Sequence, residues 1–315
     1  MARRCAYLFP GQGSQYVGMG YDLADNYPSA RDVFAQADRV LGVLLSELCY
    51  DGPAEALNDT VNTQPAILAA SVAALRVLEG NGLEAPAYVA GHSMGELSAL
   101  VASGALSFEA GLNLVRERGR LMKEAGERNP GGMAAVLGLG REELEDVCAE
   151  VREKTGAYVG VANDNCPGQI VISGATTALK LAMVAAQERG AKRAIRLAVS
   201  IAAHSPLMAE AAEVFRQRLD ETPLREPKVP IIANAIARPL SAPDDIREAL
   251  AQQLTCPVRW TESMEWALSQ GVECFVEVGP KNVLTNLLRR IDRSAERITT
   301  EEALTSLRAN ASPPG

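Results

Sequence analysis

The sequence predicts an α/β fold in which a larger α/β unit is interrupted by a smaller ferredoxin-like unit, and three observations carry that expectation. Short apolar runs at Ala6 to Phe9 and Ala87 to Ala90 read as buried strands, each leading into a glycine-bearing loop. From Gly132 to Arg196 the pattern reads strand, helix, strand, strand, helix, strand, the βαββαβ order of a split βαβ unit. Beyond it, helix and strand patterns alternate again as they do before it. The larger domain is therefore assigned to residues 1–130 and 199–315, and the smaller to 131–198.

In order along the chain, the strand at Ala6 runs into Gly11-Gln-Gly-Ser-Gln15, where two glycines let backbone amides turn toward a ligand. A helix is expected over Ser29 to Val40. Another begins at Thr63-Gln-Pro65, with Thr63 as its cap and Pro65 in its first turn, and ends near Glu79 ahead of Gly80 and Gly82. The segment Met94 to Ala102 is helical in composition, with Glu96 in the first turn where the helix dipole favours a carboxylate. A helix over Phe108 to Ala125 is broken by Asn129-Pro-Gly-Gly132, the expected crossing into the smaller domain.

Within the smaller unit the strands are Met133 to Leu139, Tyr158 to Ala162, Gln169 to Ser173 and Arg193 to Leu197, with helices Glu142 to Lys154 and Thr176 to Arg189. The remainder reads as a helix from Pro206, strand Val229 to Ala233, helices Asp245 to Leu254 and Thr261 to Ser269, strand Cys274 to Val278, and helix Asn282 to Ile291. Ala309 to Gly315 is expected to be a loose tail.

With 315 residues, 47% hydrophobic and 22% charged, the chain has the composition of a globular protein with a substantial core. It contains no uninterrupted apolar run of membrane-spanning length and no signal-peptide pattern at its start, so a cytoplasmic protein is expected. Six cysteines without a C-x-x-C pair argue against a zinc site or a disulfide framework. A net charge of -8 argues against general nucleic-acid binding, while leaving room for a local basic patch that receives an acidic protein.

Chemistry concentrates at Gly91-His-Ser-Met-Gly95. A serine between a buried strand and a helix is presented as a nucleophile, although the same residues could form a tight turn with the serine as a cap. The chain holds only two histidines, His92 beside that serine and His204 in Ser200-Ile-Ala-Ala-His-Ser-Pro-Leu-Met208, so a general base for Ser93 must be sought in one of them.

Taken together, Phe9-Pro-Gly-Gln-Gly-Ser-Gln15, Thr63-Gln-Pro-Ala66, Gly91-His-Ser-Met-Gly-Glu96, Arg118-Gly119, Asn163-Asp-Asn-Cys-Pro-Gly-Gln169, Ser173-Gly174, His204-Ser-Pro-Leu-Met208, Pro257-Val-Arg-Trp260 and Glu277-Val-Gly-Pro280 resemble one family. It is the malonyl-CoA:acyl carrier protein transacylases, together with the acyltransferases of polyketide synthases, and the likeness runs from Phe9 to about Ile291. The resemblance implies an α/β-hydrolase-like large domain with the ferredoxin-like unit inserted and the acyl site in the cleft between them. It implies a Ser93–His204 dyad, the histidine oriented by the backbone carbonyl of Gln253, and an oxyanion held by the backbone N–H groups of Gln12 and Met94. Arg118 would bind the free carboxylate of a malonyl group, for which a planar fork of donors is suited.

Ala202, Ala203, Gln64 and His92 are expected around the acyl pocket, with His92 orienting the turn, and Asn163 to serve substrate or structure. Lys192, Arg193, Arg196, Arg289, Arg290 and Arg293 could receive an acidic carrier protein and the CoA phosphates. Acyl-CoA is the expected donor, a phosphopantetheinylated acyl carrier protein the acceptor, with no tightly bound cofactor, no metal, no nucleic acid, no membrane, and a monomeric state. In malonyl-using members a phenylalanine usually precedes the histidine, whereas Ala202-Ala203 stand here, leaving room for an α-substituent on malonate or a larger acyl group. The alternatives are an editing hydrolase on the same scaffold that clears acyl groups from carrier proteins, a transferase that moves a larger acyl group between carrier proteins, and a non-catalytic module that docks carrier proteins, which would need neither Ser93 nor His204.

Overall fold

Two sheets organise the chain, and the computed structural model describes residues 4–311. The strands are β1 (Cys5–Phe9), β2 (Tyr88–Gly91), β3 (Gly131–Leu137), β4 (Val159–Cys166), β5 (Gln169–Ala175), β6 (Arg193–Arg196), β7 (Ile231–Ala233), β8 (Arg238–Leu240), β9 (Val258–Arg259), β10 (Cys274–Glu277) and β11 (Glu296–Thr299). The larger sheet has the order β11-β10-β1-β2-β7-β8, parallel except for the antiparallel edge strand β8. Its central strands are buried and apolar apart from Glu277 at the end of β10, as a parallel sheet covered on both faces requires.

The smaller sheet has the order β6-β3-β5-β4-β9. Four of its strands and the helices Arg141–Thr155 and Thr176–Glu188 follow the βαββαβ order expected from the sequence. Its fifth strand, β9, lies outside the 131–198 segment and pairs parallel with β4 at Asn163 and Asp164. The expected boundary at 198 therefore does not confine this sheet. Two residues are too short a run to register as a strand in sequence, and it is pairing with β4 that makes them one.

The long helix Thr60–Gly80 runs through the middle of the core. It is apolar and long enough to cross a membrane, yet 83% of its apolar window is buried inside the protein. Ile67 and Leu68 are fully buried, and truncating such a side chain to alanine costs about 2–5 kcal/mol. The helix begins earlier than expected. Asp59, not Thr63, is the cap and accepts the Val61 N–H at 3.1 Å, while the Thr63 hydroxyl turns back to the Leu57 carbonyl at 2.6 Å. Pro65 consequently lies inside the helix instead of in its first turn.

At the C-terminal end the expected loose tail is replaced in part by structure: the helix Thr300–Ala311 follows β11, and the rest of that segment lies outside the described residues. Short helices at Tyr21–Asn26, Leu45–Asp51 and Ala54–Asn58 also form, in stretches to which the sequence assigns no element. Most other elements match their expected positions to within a few residues, the hairpin strand β8 being a further addition.

Candidate active site

The loops at the carboxyl ends of β1, β2 and β7 meet at Ser93, where open parallel sheets place their ligand sites. After Gly91 the chain turns so sharply that Ser93 adopts φ 53°, and the helix Gly95–Ala102 begins two residues later. The left-handed region is costly for a residue with a side chain, by about 1–2 kcal/mol, and persists only where neighbours impose it. Here the Ser93 N–H donates to Asn234 Oδ1 at 2.7 Å, Asn234 Nδ2 donates to the Gly91 carbonyl at 2.7 Å, and Gln253 Nε2 donates to the Ser93 carbonyl at 3.0 Å. Gly95 is required by a close approach, since a Cβ there would lie 2.2 Å from the Phe9 carbonyl oxygen.

His204, also left-handed at φ 57°, brings Nε2 to 2.8 Å from Ser93 Oγ. Its Nδ1 faces the carbonyls of Gln253 at 2.8 Å and Cys256 at 3.2 Å. Two acceptors at Nδ1 assign the proton to that nitrogen, leaving the Nε2 lone pair for the serine hydroxyl. Burial, with the neighbouring Arg118 charge adding to it, lowers the imidazole to about 3, so it is neutral and able to accept a proton at physiological pH. Both members of the pair sit in strained backbone, a concentration typical of functional sites.

Arg118 projects from the helix Phe108–Arg128 and is 1% exposed. Its Nη1 donates to Gln64 Oε1 at 2.9 Å, and its Nη2 to Gln253 Oε1 at 3.0 Å and Ser93 Oγ at 3.2 Å. No carboxylate lies within ion-pair distance of it among the described residues, and its buried Nε has no hydrogen-bond partner. Gly119 lets this helix close on the neighbouring one, because a Cβ there would lie 2.6 Å from the Thr60 carbonyl oxygen. Arg120 instead pairs with Glu117 and Glu124 on the exposed face, and Arg116 donates to the Leu41 carbonyl at 2.7 Å.

A cavity of about 220 Å³ opens at Ser93, walled by Gln12, Met94, His92, Arg118, Asn163 and Ala203 with apolar side chains from the helix Val283–Ile291 and the segment after β6. Met94 stands at the N-cap of the helix Gly95–Ala102, at the positive end of the helix dipole, while the N–H groups of Gly95 and Glu96 are already taken by the His92 and Ser93 carbonyls at 2.9 and 3.0 Å. His92 is held by Asn165 Oδ1 at 2.7 Å and edge-on to the Trp260 ring, so both sides of the turn are fixed. Two of the expected pocket residues lie elsewhere. Ala202 is fully buried with its Cβ against Gly131, because side chains alternate about the extended stretch before His204, and Gln64 is spent on Arg118 instead of facing the cavity.

The dipole reading of Glu96 is also incomplete. Its side chain turns inward, 3% exposed, where Gln253 Nε2 donates to Oε2 at 2.5 Å and the Asn234 N–H to Oε1 at 3.4 Å. Desolvation raises this carboxyl to about 7, against the lowering effects of Gln253, Asn234 and Arg118. Asn234 and the side chain of Gln253 were not anticipated. Asn234 directly follows an apolar strand that neighbours the serine strand, and that position at a carboxyl end was its one signal.

Of the basic residues, Lys192, Arg193 and Arg196 are exposed on and beside β6, whose continuation, Leu197 and Val199, walls the cavity. Arg289, Arg290 and Arg293 are exposed at and beyond the end of the helix that supplies the opposite wall through Leu284 and Leu287. Arg290 is engaged with Gln169 Oε1 at 2.7 Å and the Pro167 carbonyl at 3.0 Å, so it ties the helix to the smaller sheet.

A strand-turn-helix serine paired with a neutral imidazole, with a guanidinium at the same hydroxyl, defines a class of serine enzymes that handle acyl groups. The chain belongs to the acyl transferase domain family, whose model matches residues 6–313. It is similar to the malonyl CoA-acyl carrier protein transacylases of Bacillus subtilis (45% identical, covering 95% of this chain and 94% of the relative) and Escherichia coli K12 (46% identical, covering 91% and 92%). Among solved structures it resembles the transacylase of that name from Coxiella burnetii (TM-score 0.94, 41% identity, 97% of each chain). It also resembles a malonyl-transacylase in complex with a type II PKS acyl-carrier protein (TM-score 0.94, 42% identity, 98% and 99%).

Proposed function

We propose that this protein transfers a malonyl group from CoA to the phosphopantetheine thiol of an acyl carrier protein, through an ester on Ser93. The observation that carries this reading is Arg118: a buried guanidinium, 3.2 Å from the nucleophile, with no anionic partner in contact among the described residues. Burying an unpaired charge is costly, and a substrate carboxylate supplies the missing partner. The names of the relatives, and the carrier protein bound to one of them, agree with it.

In the first half-reaction His204 Nε2 takes the Ser93 proton as Oγ attacks the thioester carbonyl. The Nδ1–H stays on the Gln253 and Cys256 carbonyls, which favour the imidazolium as it forms. The oxyanion is received by the backbone N–H groups of Gln12 and Met94, a contact whose loss typically costs about 100- to 1000-fold. His204 then protonates the departing CoA sulfur. In the second half-reaction it deprotonates the pantetheine thiol, which attacks the ester carbonyl, and it returns that proton to Ser93 Oγ as the oxygen leaves. No resident cofactor is needed for these steps, CoA entering as the acyl donor.

The same reading takes residues 1–130 and 199–315 as an α/β-hydrolase-like domain and 131–198 as a ferredoxin-like one, in a cytoplasmic monomer. Ala203 at the cavity wall favours a second reading, in which α-substituted malonyl groups are also accepted. Intact-protein mass spectrometry after exposure to malonyl-, methylmalonyl- and acetyl-CoA, followed by addition of holo acyl carrier protein, tests both. A malonyl adduct on Ser93 that moves to the carrier protein is expected. Absence of that adduct, or its release to water at the same rate with and without carrier protein, overturns the transferase reading.

A further inference from the structure

Gln253 makes four contacts at the centre of the site. Its backbone carbonyl accepts from His204, its Oε1 accepts from Arg118 Nη2, and its Nε2 donates both to the Ser93 carbonyl and to Glu96 Oε2. A carboxamide can be turned end for end, and only its partners decide which end is oxygen. The Ser93 carbonyl and an ionised Glu96 accept and cannot donate, so together they demand the amide nitrogen while Arg118 takes the oxygen, and of the two Glu96 makes the stronger, charge-assisted bond.

Glu96 also stands as the countercharge to a buried guanidinium whose contacts, Gln64, Ser93 and Gln253, are all neutral oxygens. It acts across Gln253, without itself occupying the donors that a substrate carboxylate needs. We propose that Glu96 is a positioning residue for carboxylate recognition, which through the Gln253 amide keeps Arg118 oriented and charge-compensated while leaving it open to the acyl group. This inference rests on the malonyl-transfer reading and adds to it the residue that sets selectivity for a dicarboxylic acyl group.

The groups facing Glu96 are few. Arg118 on the helix Phe108–Arg128 is the charge acting on it, while Gln253 at the end of the helix Pro243–Gln253 and Asn234 after β7 present neutral amides. The His204 imidazole, on the far side of Gln253, is neutral near pH 7 and does not titrate with it. A protonated Glu96 turns its charge-assisted bond from Gln253 Nε2 into a weaker neutral one, so Gln253 holds Arg118 less firmly and the carboxylate selectivity falls.

The test compares single-turnover labelling of Ser93 by malonyl-CoA and acetyl-CoA in the full-length wild type, Glu96→Gln and Glu96→Asp, across neutral pH. Titration of the CoA phosphates is common to both donors and cancels in their ratio. The wild-type malonyl-to-acetyl ratio is expected to fall as pH drops through about 7. In Glu96→Gln it should be flat with pH and about tenfold lower, the scale of one charge-assisted hydrogen bond made neutral, and Glu96→Asp should restore part of the pH dependence. A folded Glu96→Gln with the wild-type ratio and profile overturns the proposal. If that variant does not fold, a wild-type ratio independent of pH overturns it equally. Failure of malonyl-CoA to label wild-type Ser93 at any pH would instead remove the underlying function.

Discussion

Asn234 holds Ser93 by its main chain, accepting the Ser93 N–H on Oδ1 at 2.7 Å while its Nδ2 donates to the Gly91 carbonyl at 2.7 Å. One side chain on β7's carboxyl end thus spans the turn in which the nucleophile sits at φ 53°. Asn234→Ala removes both bonds and leaves the strained residue free to relax, so acyl loading of Ser93 should fall about tenfold to a hundredfold, the equivalent of 1–3 kcal/mol of lost backbone constraint. Rapid-quench measurement of the acyl adduct checks this. Unchanged loading in a folded variant would show that the turn holds itself.

Ser93 and His204 act as a unit because one supplies the electrons and the other removes the proton across 2.8 Å. Ser93→Ala should abolish the covalent adduct, His204→Ala should reduce turnover by several orders of magnitude, and the double variant should be no slower than Ser93→Ala alone. Transfer to carrier protein measured in all three gives the answer; multiplicative losses would mean that the two side chains work independently.

For Arg118 the contrast between substrates is the informative readout. Replacing it by alanine should weaken malonyl loading by about tenfold to a hundredfold, the loss of a charged hydrogen bond of about 1.5–3 kcal/mol, and affect acetyl loading much less. Lysine should rescue poorly, because a point charge does not reproduce the fork held by Gln64 and Gln253. Equal losses for both acyl groups would take the carboxylate role away from this residue.

Acid stability should show two opposed slopes. His204 is depressed from 6.5 to about 3 in the folded protein, so between those values the unfolded chain binds a proton that the native one refuses, and stability is lost as pH falls. Glu96 is raised from 4.5 to about 7, so its native form holds a proton that the unfolded chain releases, and stability is lost as pH rises through that interval. From about 4.5 to 6.5 the two offset each other. Melting temperatures against pH should therefore fall more steeply on acidification in Glu96→Gln than in the wild type, and less steeply in His204→Gln. Three parallel curves would contradict the assigned protonation states.

Much of this site was legible because its residue types are rare or locally patterned. Only two histidines were available to serve Ser93, and the glycines around it are set by backbone contacts that a sequence motif records. What escaped were long-range roles of common residues. Gln253 was anticipated through the resemblance for its carbonyl alone, since nothing local tells that its amide meets Arg118, 135 residues away, or Glu96, 157 residues away. Glu96 had a sufficient local explanation in its helix position, which concealed the inward turn of its side chain. In the fold, the strands missed were the short ones, β8, β9 and β11, whose identity comes from pairing partners instead of periodicity. Side-chain direction before His204 was misjudged for Ala202, where adjacent alanines point to different surroundings.

Ala203 offers the most direct control over acyl size. It lies 6% exposed in the wall of a 220 Å³ cavity, next to the base and within the same cleft as Arg118. Phenylalanine at this position adds an aromatic ring to the side of the cavity where an α-substituent on malonate would project, while Arg118 and Ser93 keep their own contacts. Overpacking typically costs about 1–3 kcal/mol, so Ala203→Phe should reduce methylmalonyl loading about tenfold or more relative to malonyl, with malonyl loading nearly retained. The ratio of the two adducts in a competition between the CoA thioesters measures this directly. If phenylalanine leaves the ratio unchanged, the substituent is accommodated elsewhere, and the wall formed by Met122, Met133 and Val171 becomes the surface that sets acyl size.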